Sequence, residues 1–203
     1  MNEIKHSKIE DIPASRKSEH PDYEYFRRKF IPFGGAKNTM VSIYEIPPLK
    51  SAYPYHYHHK NEETFYILSG EGVLKTPDGE KTVRAGELLF FPTGPKGAHK
   101  LTNSSETENL VYVDFDVVHE IDVTAYPDSG KLGIWGMGIN KIYPEKADVD
   151  YYAGELNHLR YHPRSRKSQA AKSSLAFVFF LNPTDSNRRR GKKWPGCSRK
   201  PDR

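Results

Sequence analysis

Short segments in which polar and apolar residues alternate recur along the first two thirds of the chain. Residues 40–46, 63–68 and 110–118 each have the length and alternation of a β-strand. Residues 73–76 and 81–84 flank a Pro-Asp-Gly-Glu turn that is typical of a β-hairpin. Two more short strands, 87–92 and 99–103, follow glycine-containing turns, and long helical periodicity is absent. The pattern predicts an all-β sandwich or barrel.

The distribution of charge divides the chain into segments. We predict a polar N-terminal arm at 1–28, a β-barrel at 29–118, an extension packed on the barrel at 119–157, and a basic tail of low order at 158–203. From Arg160 onward, 13 Lys and Arg face only two acidic residues, so the first 159 residues hold 18 basic and 24 acidic residues. The net charge of +5 therefore comes from the tail.

The acidic body gains no electrostatic support for binding nucleic acid. For the tail, the NRRRGKK stretch leaves two alternatives open. It is either a solvated, disordered extension or a segment that binds nucleic acid or anionic lipid.

Composition excludes several classes of protein. The one cysteine, Cys197, excludes an internal disulfide and a cysteine-rich zinc module, and it suits a reducing compartment. The longest apolar run has seven residues, 175–181, whereas a membrane-spanning helix needs about 20. The polar N-terminal stretch lacks the apolar segment of a signal peptide. We therefore expect a cytoplasmic protein without a membrane partner.

Histidines are concentrated in the stretch PYHYHHKNEETF, which is the strongest functional signal in the chain. His56 and His58 lie two positions apart and share one face of a strand, whereas His59 falls on the other face, in a polar bend. After this bend, Glu63 shares a face with Phe65 and points into the core. A buried carboxylate is costly unless it is paired, and a cation bound by nearby imidazoles would remove that cost.

A third histidine has the same orientation. His99 alternates with Lys100, which marks the solvent face of its strand, so His99 points inward. Three imidazoles and one carboxylate suit Zn, Fe, Mn, Ni or Co and leave open positions on a five- or six-coordinate ion. The predicted ligands of one divalent transition metal are His56, His58, Glu63 and His99. The alternative is an ancestral site that has lost its metal.

Two motifs resemble those of the cupin superfamily. The first, HxH followed by Glu and Gly, matches from His56 to Gly70, although Lys50 stands where the family has its opening Gly. The residues that match the second motif, with two extra residues before the histidine, are Gly86, Pro92, Gly94, His99 and Asn103. The GPxGAH and YPDSGK stretches also resemble a group of small single-domain bacterial cupins.

This resemblance covers about residues 31–155 and implies a jelly-roll barrel, or double-stranded β-helix, with the four ligands inside one end. It leaves the reaction open, because cupins include dioxygenases, isomerases, epimerases, decarboxylases and binding proteins.

Further candidates surround the predicted metal site. The candidate pocket residues are Tyr55, Phe65, Tyr66 and Asn103, with ordinary half-buried packing as the alternative for the tyrosines. A lid at YPDSGK would present Asp128, Ser129 and Lys131 to an anionic or hydroxylated ligand. The alternative there is a turn fixed by its own side-chain hydrogen bonds. Asp114 and Asp116 alternate with apolar residues, from which we expect an exposed polar face.

These signals favour a metal-dependent enzyme that acts on a small organic molecule, either dioxygenase-like or isomerase- and epimerase-like. A non-catalytic module that binds or senses a sugar or another small ligand is the alternative, and whether the protein is an enzyme stays open. Both faces of residues 63–68 are rich in apolar side chains, which suits a strand covered on both sides. Together with the resemblance, this predicts a homodimer.

Overall fold

The computed structural model describes residues 3–155, which form an almost entirely β structure. Two short 3-10 helices, Pro95–Gly97 and Pro127–Ser129, interrupt the strands. The thirteen strands in the described residues are β1 (Ala14–His20), β2 (Tyr23–Ile31), β3 (Thr39–Ile46), β4 (Tyr57–His58), β5 (Glu62–Ser69), β6 (Glu71–Thr76), β7 (Gly79–Arg84), β8 (Leu88–Phe91), β9 (Lys100–Asn103), β10 (Leu110–Val117), β11 (Ile121–Tyr126), β12 (Lys131–Gly136) and β13 (Ile139–Pro144).

Two sheets enclose the apolar core. The larger has the strand order β1-β2-β3-β10-β5-β8 and the smaller has the order β7-β6-β9. Alternate side chains of both sheets point inward and pack together, because successive residues of a strand face opposite sides. The inward residues of this cluster include Tyr44, Ile46, Phe65, Ile67, Leu110 and Tyr112 from the larger sheet and Leu74, Val83 and Leu101 from the smaller. The all-β barrel predicted from the sequence is confirmed.

The larger sheet begins with two strands that the alternation pattern did not predict. Strands β1 and β2 pair with each other, and β2 also pairs with β3. Every residue of β1 is exposed, so no apolar face marks this strand in the sequence. Part of the segment described as a polar arm is therefore strand.

A third sheet is formed mainly by residues after 120, in the order β13-β12-β11-β4. Strand β11 pairs with β4 through Thr124 opposite His58 and Ala125 opposite Tyr57. The predicted extension thus brings one of its strands directly beside the histidine-rich stretch.

The inner face of β10 corrects one expectation from the sequence. Asp114 and Asp116 are each only 4% exposed, whereas we expected them at the surface. The facing of β10 is set by Leu110 and Tyr112, which pack in the core. Positions two and four residues beyond Tyr112 must then point inward as well, although both are carboxylates.

No helix among the described residues is long and apolar enough to cross a membrane. Residues 156–203 lie outside the described part of the chain. The predictions made for the basic tail concern those residues.

Candidate metal centre

Four side chains converge inside one end of the barrel. His56 precedes β4, His58 ends it, Glu63 is the second residue of β5, and His99 immediately precedes β9. The backbones of His56 and His99 pair with each other in an antiparallel bridge, with N–H···O distances of 3.1 and 2.8 Å. This bridge holds two histidines from distant parts of the chain side by side.

The ring nitrogens surround one carboxylate oxygen. Glu63 Oε2 lies 3.3 Å from Nε2 of His99, 3.5 Å from Nε2 of His58 and 3.9 Å from Nε2 of His56. All four side chains are largely removed from solvent, with at most 17% of any of them exposed. The structure therefore brings together the four residues that were predicted as ligands from the alternation of side chains along the strands.

The second nitrogen of each ring is held by the protein. Nδ1 of His56 lies 2.8 Å from the carbonyl of Pro54, and Nδ1 of His99 lies 2.9 Å from the carbonyl of Gly97. A carbonyl can only accept, so each Nδ1 donates and each Nε2 carries its lone pair toward the centre. This is the tautomer that a metal ligand requires.

His58 is held by a carboxylate that the sequence reasoning missed. Asp122 Oδ2 lies 2.5 Å from Nδ1 of His58, and Asp122 Oδ1 accepts the backbone N–H groups of Lys60 and Asn61 at 2.8 and 3.3 Å. Thr124 donates to Asp122 Oδ2 at 3.3 Å. Trp135 Nε1 donates in turn to the Thr124 hydroxyl at 2.9 Å.

One signal in the sequence could have revealed this group. In IDVTAY, the polar residues Asp122 and Thr124 share a strand face, and both prove to be buried. Their partner is His58, 64 residues earlier than Asp122, and only the pairing of β11 with β4 shows that link.

Burial and neighbouring charges shift the pKa values of the three histidines in different directions. Burial, reinforced by the neighbouring charge of His58, lowers the pKa of His56 to about 3, and burial likewise holds the pKa of His99 well below its usual value. Burial also lowers the pKa of His58, but the charges of Glu63 and Asp122 outweigh it and raise this pKa to about 9. Burial raises the pKa of Glu63 to about 7.

A cation would satisfy atoms that the protein leaves without partners. Glu63 Oε2 and His99 Nε2 are buried, and neither has a hydrogen-bond partner within the described residues. Such orphaned buried groups are costly in a folded protein. A divalent ion would supply the missing partner to both, and three imidazoles with one carboxylate form a usual donor set for a transition metal. The residues present thus fit the predicted metal.

Aromatic rings enclose the centre on two sides. Phe91 stacks on His99 with 3.6 Å between ring centroids, and Phe65 meets the same imidazole edge-on at 5.5 Å. Tyr126, which was not singled out from the sequence, stacks on His56 at 6.0 Å. Burial and the negative charge of Glu63 raise the pKa of Tyr126 to about 12, so its phenol stays protonated and can donate a hydrogen bond.

Two of the candidate pocket residues lie elsewhere. Tyr66 is 38% exposed on the outer face of β5, because it is three positions from Glu63 and so points the opposite way. Asn103 is buried, but all of its polar atoms have backbone partners: it donates to the carbonyls of Ile46 and Glu108 and accepts from the N–H of Ser105. Asn103 therefore fixes a loop and is not available to a ligand.

The candidate lid residues lie at a turn near this end of the barrel. Asp128 pairs with Lys75 at 2.7 Å, and the Lys75 ammonium also lies 4.4 Å from the ring centroid of Tyr55. Lys131 is half-buried, with its ammonium 5.6 Å from the ring centroid of Tyr126. Ser129 is exposed and ends the short 3-10 helix. The segment is thus a turn that contributes one cationic side chain, Lys131, beside a tyrosine ring and is tied to β6 through the Asp128–Lys75 ion pair.

Comparisons with known proteins concern the family and the fold. Residues 42–116 match the family model described as a cupin domain, which spans β3 to β10 and includes all four candidate ligands. An uncharacterized protein of Methanocaldococcus jannaschii is 36% identical over 72 residues. That match covers 35% of this chain and spans about half, 54%, of the relative's length.

Two solved structures share the fold. A proposed sugar phosphate isomerase from Acidithiobacillus ferrooxidans superposes with a TM-score of 0.62 at 26% identity, over 70% of this chain and 90% of its own. A cupin-superfamily sugar phosphate isomerase from Silicibacter pomeroyi also gives a TM-score of 0.62, at 16% identity, over 71% of this chain and 96% of its own. At 16% identity the second likeness concerns the fold alone.

Proposed function

Since residues 42–116 of this chain form a small cupin domain, we propose that the protein is a metal-dependent enzyme acting on a small organic molecule. His56, His58, Glu63 and His99 would bind one divalent transition metal. The observation that carries the proposal is the convergence of three Nε2 atoms on Glu63 Oε2, where two buried polar atoms lack partners. The rings of His56 and His99 already have the tautomer that coordination needs.

A bound divalent metal would act as a Lewis acid that polarises a carbonyl or hydroxyl oxygen of the substrate. The surrounding residues have separate roles. Asp122 orients His58 through its Nδ1, and Phe65 and Phe91 exclude water from the side of His99. The protonated phenol of Tyr126, stacked on His56, is placed to donate a hydrogen bond to a substrate oxygen.

Among reaction classes, we favour an isomerase-like activity over a dioxygenase-like one. Two features support this choice. The Acidithiobacillus protein, described as a proposed sugar phosphate isomerase, is 26% identical with a TM-score of 0.62. In addition, Lys131 places positive charge beside Tyr126, which suits a substrate that carries an anionic group.

Metal analysis of the purified protein and two variants tests the site. We expect about one transition metal per chain in the wild type and in His59→Ala, whose exposed imidazole belongs to the same stretch. The His56→Ala variant should lose the metal. Equal metal content in His56→Ala and His59→Ala would contradict the ligand assignment.

A separate assay tests the reaction. Metal-loaded protein should interconvert aldose and ketose forms of a small sugar phosphate, and His56→Ala should be inactive. Metal-loaded protein that binds such compounds without turnover would favour the alternative, a non-catalytic module that binds or senses sugars or other small ligands.

We further propose that the protein forms a homodimer through the outer face of the larger sheet. Exposed apolar side chains from three adjacent strands form one patch there: Tyr66, Leu68, Leu88, Phe90, Phe115 and Val117. Cross-strand register places Phe115 opposite Thr64, which lies opposite Phe90. A contiguous apolar patch of this kind is unusual on a monomer and suits burial against the same patch of a second copy.

A further inference from the structure

Three carboxylates meet inside the barrel next to the histidines. Glu63 on β5 lies directly opposite Asp116 on β10, and Asp114 lies two positions along the same strand. Each of the three offers an oxygen, and these oxygens all lie within 4.8 Å of one another. Like charges placed directly opposite each other on neighbouring strands are destabilising, so something must balance this cluster.

The protein supplies little positive charge to Asp114 and Asp116. The nearby Arg27 donates to Ser42 Oγ at 3.0 Å and contacts Met40 Sδ at 3.3 Å, with its guanidinium over the ring of Tyr44. Within residues 3–155, no Lys, Arg or His nitrogen lies within 4.0 Å of an Asp114 or Asp116 carboxylate oxygen.

Both aspartates also carry oxygens without partners. Asp114 and Asp116 are each only 4% exposed, and Oδ1 of each has no hydrogen-bond partner among the described residues. Buried side-chain oxygens of this kind are rare in native proteins and call for an unseen ligand or proton. Two independent observations, the like-charge cluster and the orphaned oxygens, therefore point to the same place.

We propose that Glu63, Asp114 and Asp116 form a second cation site, which makes the centre binuclear with the Glu63 carboxylate shared between the two sites. The donors differ in chemistry. Three imidazoles favour a borderline transition metal, whereas a purely carboxylate site takes a hard ion such as Mg²⁺, Mn²⁺ or Ca²⁺. The second site depends on the proposed metal function only through the shared Glu63.

Sequential loading with two metals tests the second site. The protein is stripped of metal, given one equivalent of Zn²⁺, and then titrated with Mn²⁺ while free Mn²⁺ is followed by electron paramagnetic resonance. Imidazole ligands bind Zn²⁺ more tightly than Mn²⁺, so zinc keeps the histidine site. We expect wild-type protein to bind one Mn²⁺ per chain, and the Asp114→Asn/Asp116→Asn variant to bind at least 100-fold more weakly.

The control is Asp128→Asn, which removes an exposed carboxylate outside the cluster and should leave Mn²⁺ binding unchanged. Thermal melting checks that the double variant is folded. In metal-free protein the double variant should melt at or above the wild-type temperature, because it removes two mutually repelling carboxylates, and Mn²⁺ should raise the melting temperature of the zinc-loaded wild type alone.

The outcomes separate the two sites. Wild-type protein that retains one Zn²⁺ and binds no Mn²⁺ overturns the second site and leaves the first intact. Protein that retains neither ion overturns both. Equal Mn²⁺ binding by the wild type and the double variant would also overturn the second site, because the cation would then lie elsewhere.

Discussion

Asp122 Oδ2 lies 2.5 Å from Nδ1 of His58, so a strand of the third sheet holds one ligand of the candidate centre in the barrel. Asp122 is itself fixed by two backbone N–H groups, from Lys60 and Asn61. The bend that reverses the chain between His58 and Glu63 is therefore tied to the same carboxylate. Orientation of the ligand and shape of the bend depend on one residue.

We predict that Asp122→Asn weakens metal binding about 10- to 100-fold, because an amide in place of the carboxylate no longer fixes the tautomer of His58 or raises its basicity. Competition with a chromophoric chelator measures the affinity. Asp128→Asn, which changes an exposed carboxylate of the next turn, is the matched control and should bind metal as the wild type does. Unchanged affinity in Asp122→Asn would remove Asp122 from the metal centre.

The pH dependence of stability gives a second prediction, for metal-free protein. The pKa of His58 rises from 6.5 in the unfolded chain to about 9 in the folded one. The folded state thus binds more protons in this window, and the stabilisation is fully present below pH 6.5 and lost as the pH rises through about 9. We expect the free energy of unfolding to fall by up to about 2 kcal/mol between pH 7 and pH 9.

Urea titrations in the presence of a chelator at several pH values measure this slope. Asp122→Asn should flatten it, because the variant removes a charge that raises the pKa of His58. Glu63, whose pKa rises to about 7, acts mainly below this window. A wild-type stability that is constant or increases from pH 7 to pH 9 would show that His58 is neutral when the site holds no metal.

The alternation of inward and outward side chains along short strands was sufficient to predict the four candidate ligands. Each lies on a short strand or directly beside one, and the bend after His58 resets the phase so that Glu63 faces inward with Phe65. Strands β3, β5 and β10 were likewise predictable, because each has the length of a strand and is rich in β-branched and aromatic residues. The same information could not reveal Asp122, whose importance comes from a pairing across 64 residues.

The polarity of the side chains on β10 does not follow their burial. On β10, the apolar residues Phe115 and Val117 face outward and Asp114 and Asp116 face inward. A sequence pattern assigns the apolar set to the core by default, since burial of a carboxylate is normally costly. Such a reversal is expected at functional sites, where local rules are broken for chemistry or binding. The exposed strand β1 escaped prediction for a simpler reason: it has no buried face at all.

The loop before His99 gives a third prediction. A Cβ at Gly97 would lie 1.7 Å from the carbonyl oxygen of Pro92, and the carbonyl of Gly97 accepts the Nδ1 hydrogen bond of His99. Gly97→Ala must therefore displace the loop, and we expect a loss of at least about 2 kcal/mol of stability together with weaker metal binding.

Gly94→Ala in the same loop is the control. Gly94 has open space around a Cβ, but its φ is +81°, so a cost of only about 1 kcal/mol from backbone strain is expected. Urea denaturation and chelator competition measure both effects. Equal stability of the two variants would mean that the close approach of Gly97 to Pro92 does not constrain the loop.

The homodimer leads to the last prediction. Phe115 lies within the apolar patch on the outer face of the larger sheet and is 44% exposed. In a two-fold dimer, Phe115→Lys would place two uncompensated charges in the interface. We expect the dimer dissociation constant to rise at least about 100-fold, which corresponds to about 3 kcal/mol. Sedimentation velocity across a range of protein concentrations measures it.

The matched control is Ile142→Lys, which changes a residue of similar exposure, 50%, on strand β13 of the third sheet. This variant should remain dimeric. At protein concentrations low enough for every dimer to dissociate, both variants should melt close to the wild-type temperature. A monomeric wild type would rule out the dimer. A dimer that Ile142→Lys disrupts and Phe115→Lys leaves intact would move the interface from the larger sheet to the third one.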